Sequence, residues 1–272
     1  MSNRGNPTAA YLFRRYLARQ LLKTVPAGRF LEIGVGSGAF YQDLQRKGFT
    51  GTCLDLNKIL VQTHCRQKGR TESVIFQTGD FFLLREQFDL IVAFEVLEHY
   101  EDDALCLRKW EDLLKQGGTL IFSVPAHMRQ WTRNDTQAGH ARRYEKAELL
   151  GKLSTTRLQL DHLWCYGFPI LNLTYPLSSI FGKRREESPE EALLVDGSGN
   201  LPMQSEQTAR SGEMAKTYAT DFTKTLQSGY SKLPQASKWL FQEWLWMPFL
   251  QLQKVFLRRD SGIGYVVSCR RV

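Results

Sequence analysis

One junction near the N-terminus narrows the fold more than any other feature. A short apolar run, Phe30-Leu31-Glu32-Ile33, breaks into Gly34-Val35-Gly36-Ser37-Gly38, and residues 39–47 then read as a helix. A nucleotide ligand requires strand, glycine loop and helix in that order. Glycines let the backbone come close, and the first turn of the helix offers unpaired N–H groups. Three alternating glycines do not decide the ligand, because Ala39 also permits the G-x-G-x-x-A pattern of a dinucleotide site.

The rhythm of the following chain sets the architecture. Residues 52–56 read as a strand, 57–68 as a helix and 74–77 as a third strand. Residues 88–94 are apolar enough for a strand buried on both faces, as in a parallel sheet covered by helices. A helix over 102–115, with Gly117-Gly118 as its stop, leads into a fifth strand at 119–124. This alternation predicts an α/β doubly wound sheet whose strand C-termini share one edge, where the site is expected. A helix is predicted over 7–24, with Tyr11, Leu12, Tyr16, Leu17 and Leu21 at helical spacing. Beyond Pro125 we expect a helix over 144–153, a strand over 158–166 and a polar insertion or lid over 182–234. The closing strand is expected at 264–269. One domain is predicted: an N-terminal helix (1–27), a cofactor core (28–168), a helical insertion (169–260) and a closing strand (261–272).

Acids at successive strand ends choose between ligands. Asp55, with Leu56 beside it, ends the second strand, where a carboxylate can accept both ribose hydroxyls. Glu32 stands where it can accept from an ammonium group, Asp80-Phe81 where it can meet an adenine, and Glu95 follows the fourth strand. A ligand with an adenosine and an amino-acid end uses all four acids. A dinucleotide needs only Asp55.

These residues also carry a resemblance. Leu31-Glu32-Ile33-Gly34-Val35-Gly36-Ser37-Gly38 resembles motif I of class I S-adenosylmethionine-dependent methyltransferases. Leu54-Asp55-Leu56-Asn57 is similar to their motif II, and Gly79-Asp80-Phe81 to motif III. Residues 88–92 with Glu95-Val96-Leu97-Glu98-His99 resemble motif IV and the turn after it, and residues 113–120 the lead into the fifth strand. The resemblance implies a Rossmann-like seven-stranded sheet, S-adenosylmethionine as cofactor, and transfer of its sulfonium methyl group to a nucleophile. Gly139-His140-Ala141-Arg142-Arg143-Tyr144 further resembles the G-H-x-R-R-Y segment of a bacterial branch. That branch also carries an Arg-Thr-x-x-Ser-Gly element, for which this chain has Gln207-Thr208-Ala209-Arg210-Ser211-Gly212, with the arginine displaced.

On the acceptor side, His140 and His99 are the candidate general bases, since imidazole titrates near neutrality. Arg142 and Arg143 are candidates to clamp an anion bidentately, with Tyr144 and Tyr166 as further substrate contacts. The expected acceptor is small and hydrophobic, a natural-product or lipid-like intermediate, anionic if the arginines clamp it, and methylated on oxygen. Phe241, Trp244, Leu245, Phe249, Leu252, Val255 and Phe256 collect on one helical face of residues 238–259. That face either covers the sheet and walls the acceptor pocket, or makes a peripheral membrane contact.

The net charge of +8 favours anionic partners in general. No basic run with interleaved aromatics marks a nucleic-acid module, so no nucleic acid is expected. His64, His127 and His162 lack metal-ligand spacing with each other or with a cysteine pair, so no metal is expected. Five cysteines without a C-x-x-C pair, no secretory signal and no apolar run of about 18 residues suit a cytoplasmic protein. An RNA or protein methyltransferase, a non-catalytic cofactor-binding subunit and a nicotinamide-dependent oxidoreductase are the rival readings.

Overall fold

The structure is a computed structural model that describes residues 9–36, 40–68, 73–173 and 243–272, with backbone alone at 67–68 and 243–245. Seven strands form one sheet: β1 (Arg29–Ile33), β2 (Thr50–Asp55), β3 (Val74–Thr78), β4 (Phe88–Phe94), β5 (Leu114–Pro125), β6 (Leu158–Tyr166) and β7 (Gly264–Arg271). Their order is β3-β2-β1-β4-β5-β7-β6. The first five are parallel, and β7 inserts antiparallel between β5 and β6. The doubly wound sheet is therefore as expected, and the C-terminal ends of β1 to β5 share one edge.

Strand periodicity splits the core into two layers. Leu31, Ile33, Ile91, Leu120 and Phe122 face Cys106, Leu107 and Trp110 of helix α4 (Asp103–Leu113) and Leu149 and Leu153 of α6 (Lys146–Ser154). Phe30, Leu90, Val92 and Ile121 face Phe13, Leu17 and Leu21 of α1 (Ala9–Leu22) and Phe40 and Leu44 of α2 (Phe40–Arg46). Every one of these side chains is at least 95% buried. At roughly 25 cal/mol per Å² of apolar surface, two such layers supply the main favourable term in folding. Helix α3 (Lys58–Lys68) follows β2, the short α5 (Arg133–Ala138) follows β5, and α7 (Glu243–Leu252) precedes β7.

Two local expectations change. The glycines at 117–118 do not stop a helix. α4 ends at Leu113, β5 begins at Leu114, and Lys115–Gly118 form an irregularity in the ladder, where Phe88 pairs Leu114 but Leu90 pairs Thr119. Gly117, at φ +74°, supplies the left-handed residue this needs. The apolar stretch near 250 also turns differently from its predicted face. Leu250, Gln253 and Leu257 are buried, with Trp246 partly so, whereas Phe249, Leu252 and Val255 are exposed, Val255 by 73%. Gln253 Oε1 accepts the Gly167 N–H at 3.3 Å, which fixes that polar residue inward. No helix among the described residues is long and apolar enough to cross a membrane. All five cysteines are free.

Candidate functional site

The sheet edge is built first from backbone. Gly34 (φ +74°) and Gly36 (φ +51°) carry the chain away from β1 in left-handed conformations. At Gly34 a Cβ would also come within 2.8 Å of Val96 Cγ2, so both angle and space demand glycine. Gly38 lies outside the described residues. Gly34 N–H donates to Leu54 O at 2.9 Å, tying the loop to β2. Asp55 Oδ1 accepts Asn57 N–H at 2.8 Å, and the carboxylate also draws on the Val35 and Gly36 N–H groups. Burial raises its pKa, and those hydrogen bonds work against the rise. Leu56, half-buried, follows it. His64, from α3, lies with Nε2 3.1 Å from Gly36 O and steadies the other side of the loop.

Glu32 is 3% exposed, and Cys53 Sγ donates to its Oε2 at 3.6 Å. Burial pushes its pKa up to about 8, although the Cys53 contact works against this. A carboxyl in such a place is held ready for a cationic partner that the described residues do not supply in full. Asp80 lies where the sequence puts it, but its Oδ1 accepts Phe82 N–H at 2.9 Å and caps a short 3-10 turn. Phe81 requires a correction. It is 2% exposed and stacks on Phe82 inside the α4 core layer, so it is a core residue and not a wall for the adenine.

Glu95, at φ +53°, stands in a conformation that costs a non-glycine residue about 1–3 kcal/mol and that clusters at functional sites. Ser123 Oγ donates to its Oε1 at 2.8 Å, and Arg14 Nη1 lies 3.2 Å away. Arg14, carried across the edge by α1, also donates to Tyr166 OH at 3.4 Å and lies over the Tyr11 and Phe94 rings. Burial disfavours its charge, but Glu95 and Tyr166 outweigh that and keep the guanidinium charged. Arg14, which the sequence did not single out, thus ties α1 to the end of β4.

The acceptor-side loop, residues 126–145, is built from charge. Asp135 caps α5 from Thr132 in a capping box and accepts a fork from Arg143, Nε at 2.9 Å and Nη2 at 3.0 Å. Its Oδ1 also lies 3.0 Å from His140 Nδ1. Burial works against the Asp135 charge, yet His140 and Arg143 outweigh it and hold its pKa well below the carboxylate range. Arg143 Nη1 completes the set by donating to Ala126 O at 3.1 Å. Asp103 gathers a second cluster: Arg142 at 3.0 Å, Tyr144 OH at 2.9 Å and Lys152 at 2.8 Å.

Four expected substrate contacts are therefore corrected. Arg143 (2% exposed) and Tyr144 (0%) are sealed into these clusters, and Arg142 turns to Asp103 and Glu101 O. Tyr166 is 2% exposed beneath Arg14. The argument for an anionic acceptor falls with them. His99 and His140 do come together, with ring centroids 4.9 Å apart and planes at 82°. His99 Nδ1 lies 3.3 Å from Gly139 O. Burial, then His140, pushes its pKa down to about 4. The remaining expectation for this pocket, the side chain of Trp244, lies outside the described residues, as do residues 182–234 and 207–212.

A family model described as a methyltransferase domain matches residues 7–164, more than half of the chain. The chain belongs to that family. The residues fit the cofactor that the sequence resemblance implies, S-adenosylmethionine: a left-handed glycine loop, a carboxylate at the end of β2 and a buried acid at β1. Among curated proteins it is similar to ubiquinone biosynthesis O-methyltransferases. That of Escherichia coli O9:H4 (strain HS) is 26% identical over 153 residues, covering 50% of this chain and 64% of that protein. That of Coxiella burnetii (strain RSA 493 / Nine Mile phase I) is 28% identical over 116 residues, covering 40% and 48%. The chain spans about half to two thirds of the length of these relatives. Among solved structures, an S-adenosylmethionine-dependent methyltransferase from Mesorhizobium loti superposes with a TM-score of 0.51 at 16% identity, covering 95% of this chain and 98% of that one. A chain from a complex of the Haloferax volcanii Trm112 methyltransferase activator with a methyltransferase gives 0.52 at 16% identity, covering 95% and 90%. Both likenesses concern the fold.

Several residues of the methyltransferase edge were not named as site residues from sequence: Arg14, His64, Asp103, Ser123 and Asp135. Asp135 was accessible through its Thr132-x-x-Asp135 spacing. The others form only when distant elements meet, and no local pattern marks them.

Proposed function

We propose that this methyltransferase alkylates an oxygen of a small, apolar acceptor of the natural-product or lipid-like kind. The observation that carries the reading is the His99–His140 pair beside the edge, backed by Asp135. It is supported by the relatives, whose names place them as O-methyltransferases of ubiquinone biosynthesis. Glycines 34 and 36 with Asp55 would hold the nucleoside, and Glu32 the amino-acid end. Asp80 and Leu56 would flank the base.

Bound S-adenosylmethionine supplies an electrophilic methyl group on a sulfonium. Asp135 engages His140 Nδ1 and so leaves Nε2 as the nitrogen that takes the acceptor's hydroxyl proton. Neutral His99 packs edge-on against it. The Arg14–Glu95 ion pair would fix the start of α1 beside the bound cofactor.

The exposed face of Met247, Phe249, Leu252 and Val255, next to Lys254, Arg258 and Arg259, favours a peripheral membrane contact for delivery of an apolar acceptor. The test is turnover against a panel of phenolic and carboxylic acceptors. His140→Ala is expected to lower kcat by about 10²–10⁴-fold with S-adenosylhomocysteine affinity unchanged. An unchanged kcat, or turnover confined to RNA or protein, defeats this reading.

A further inference from the structure

Next to the two histidines lies a carboxylate that the reading above does not use. Glu98 is 0% exposed. Beyond a loose approach of its own backbone N–H, neither of its oxygens has a hydrogen-bond partner among the described residues. Its Oε1 faces His140 Nε2 at 3.8 Å. One ligand atom from each of Glu98, His99 and His140 falls within 4.8 Å of the others.

We infer that Glu98, His99 and His140 bind one divalent transition-metal cation of the zinc class. The orientation of the imidazoles supports it. His140 engages Asp135 through Nδ1, and His99 engages Gly139 O through Nδ1. His140 thus presents Nε2 to Glu98 with its far nitrogen held by Asp135, the outer-shell arrangement that orients metal-ligating histidines, and His99 Nδ1 is likewise held by a backbone carbonyl. Two nitrogens and one carboxylate suit Zn²⁺, Mn²⁺, Co²⁺ or Fe²⁺, whereas Ca²⁺ and Mg²⁺ take oxygen ligands. Ligands about 2.0–2.2 Å from a tetrahedral zinc stand roughly 3.4 Å apart, so the 3.8 Å pair closes by a few tenths of an ångström.

Three protein ligands leave a coordination position open, as in catalytic sites. The function of that position, unlike cation binding itself, rests on the proposed oxygen methylation. With the cation bound, the role of base given above to His140 would pass to the metal: the three residues would hold it, and it would stabilise the oxyanion of an acceptor hydroxyl whose proton leaves to solvent. Spacing along the chain does not mark such a site, and none was expected, because Glu98 and His99 lie far from His140 in sequence.

The experiment is calorimetric titration of the chelator-treated full chain with ZnCl2, MnCl2 and MgCl2, with S-adenosylhomocysteine binding measured on the same samples. One equivalent of Zn²⁺ is expected to bind, more tightly than Mg²⁺, and to weaken at least 100-fold in Glu98→Gln and in His140→Ala. Where a variant has lost S-adenosylhomocysteine binding through misfolding, visible absorption of the Co²⁺-loaded wild type reports the coordination instead. His127, Cys165 and Asp260 form a second cluster of possible ligands, so Cys165→Ser is the control and is expected to leave binding unchanged. Absence of Zn²⁺ binding overturns the inference, as does binding lost in Cys165→Ser but kept in folded Glu98→Gln. Loss of S-adenosylhomocysteine binding by the wild type would strike the methyltransferase reading instead.

Discussion

The two halves of the site edge are held by different forces. At the ends of β1 and β2, left-handed glycines and backbone N–H groups shape a concave loop, and Asp55 and His64 merely steady it. In the loop from Ala126 to Glu145, shape comes from charged side chains converging on Asp135 and Asp103. Backbone shape recognises a ligand common to many enzymes. A side-chain lattice can be redrawn around each acceptor, at the cost of making scaffold and contact residues look alike in sequence.

The largest expected effect lies in the charged half. Arg143→Ala leaves Asp135 buried beside fewer donors, and removal of one partner from a buried pair typically costs about 3–5 kcal/mol. At two to four degrees per kcal/mol, the melting temperature should fall by roughly 10 °C. A fall of only a degree or two would mean that the lattice is not what holds this loop.

In the backbone half, Gly34→Ala places a methyl group 2.8 Å from Val96 Cγ2 at φ +74°. We expect about 1–3 kcal/mol of destabilisation and at least a tenfold loss of S-adenosylhomocysteine affinity, read by thermal melting and calorimetry. Normal affinity would show that the loop does not recognise its ligand through its backbone.

Glu32 gives the smallest effect. Its pKa in the fold, about 8, lies above the usual carboxylate range. Its contribution to stability is therefore present below that range and fades as pH rises through about 8. The cofactor-free protein should lose stability across that window, and Glu32→Gln should flatten the profile. Pairing with the ligand's ammonium ionises the carboxyl, so binding at pH 7 should release about one proton. Calorimetry in buffers of different ionisation enthalpy measures this, and equal release by Glu32→Gln would remove Glu32 from the contact.

The same contrast explains what could be read from the sequence. The sheet was legible because each strand of the core carries its own apolar run, and the cofactor loop because glycine spacing is local. Residues 139–144 were legible as a motif but misread as to role. Arg143 and Tyr144 are the polar residues that an acceptor loop would show, and only Asp135 and Asp103 reveal that they point inward. Arg14 and Glu98 were silent, because what matters about them is the company that folding gives them. The face near Phe249 was misassigned because Gln253, polar in sequence, is buried through its bond to Gly167.

The most direct test is calorimetry of S-adenosylmethionine, S-adenosylhomocysteine and NADH against the wild type and Asp55→Ala. We predict that the first two bind, that NADH does not, and that Asp55→Ala weakens binding by about 10–150-fold, the equivalent of one charged hydrogen bond lost at roughly 1.5–3 kcal/mol. Binding of NADH alone, or S-adenosylhomocysteine affinity indifferent to Asp55, would contradict the placement of the cofactor at this edge.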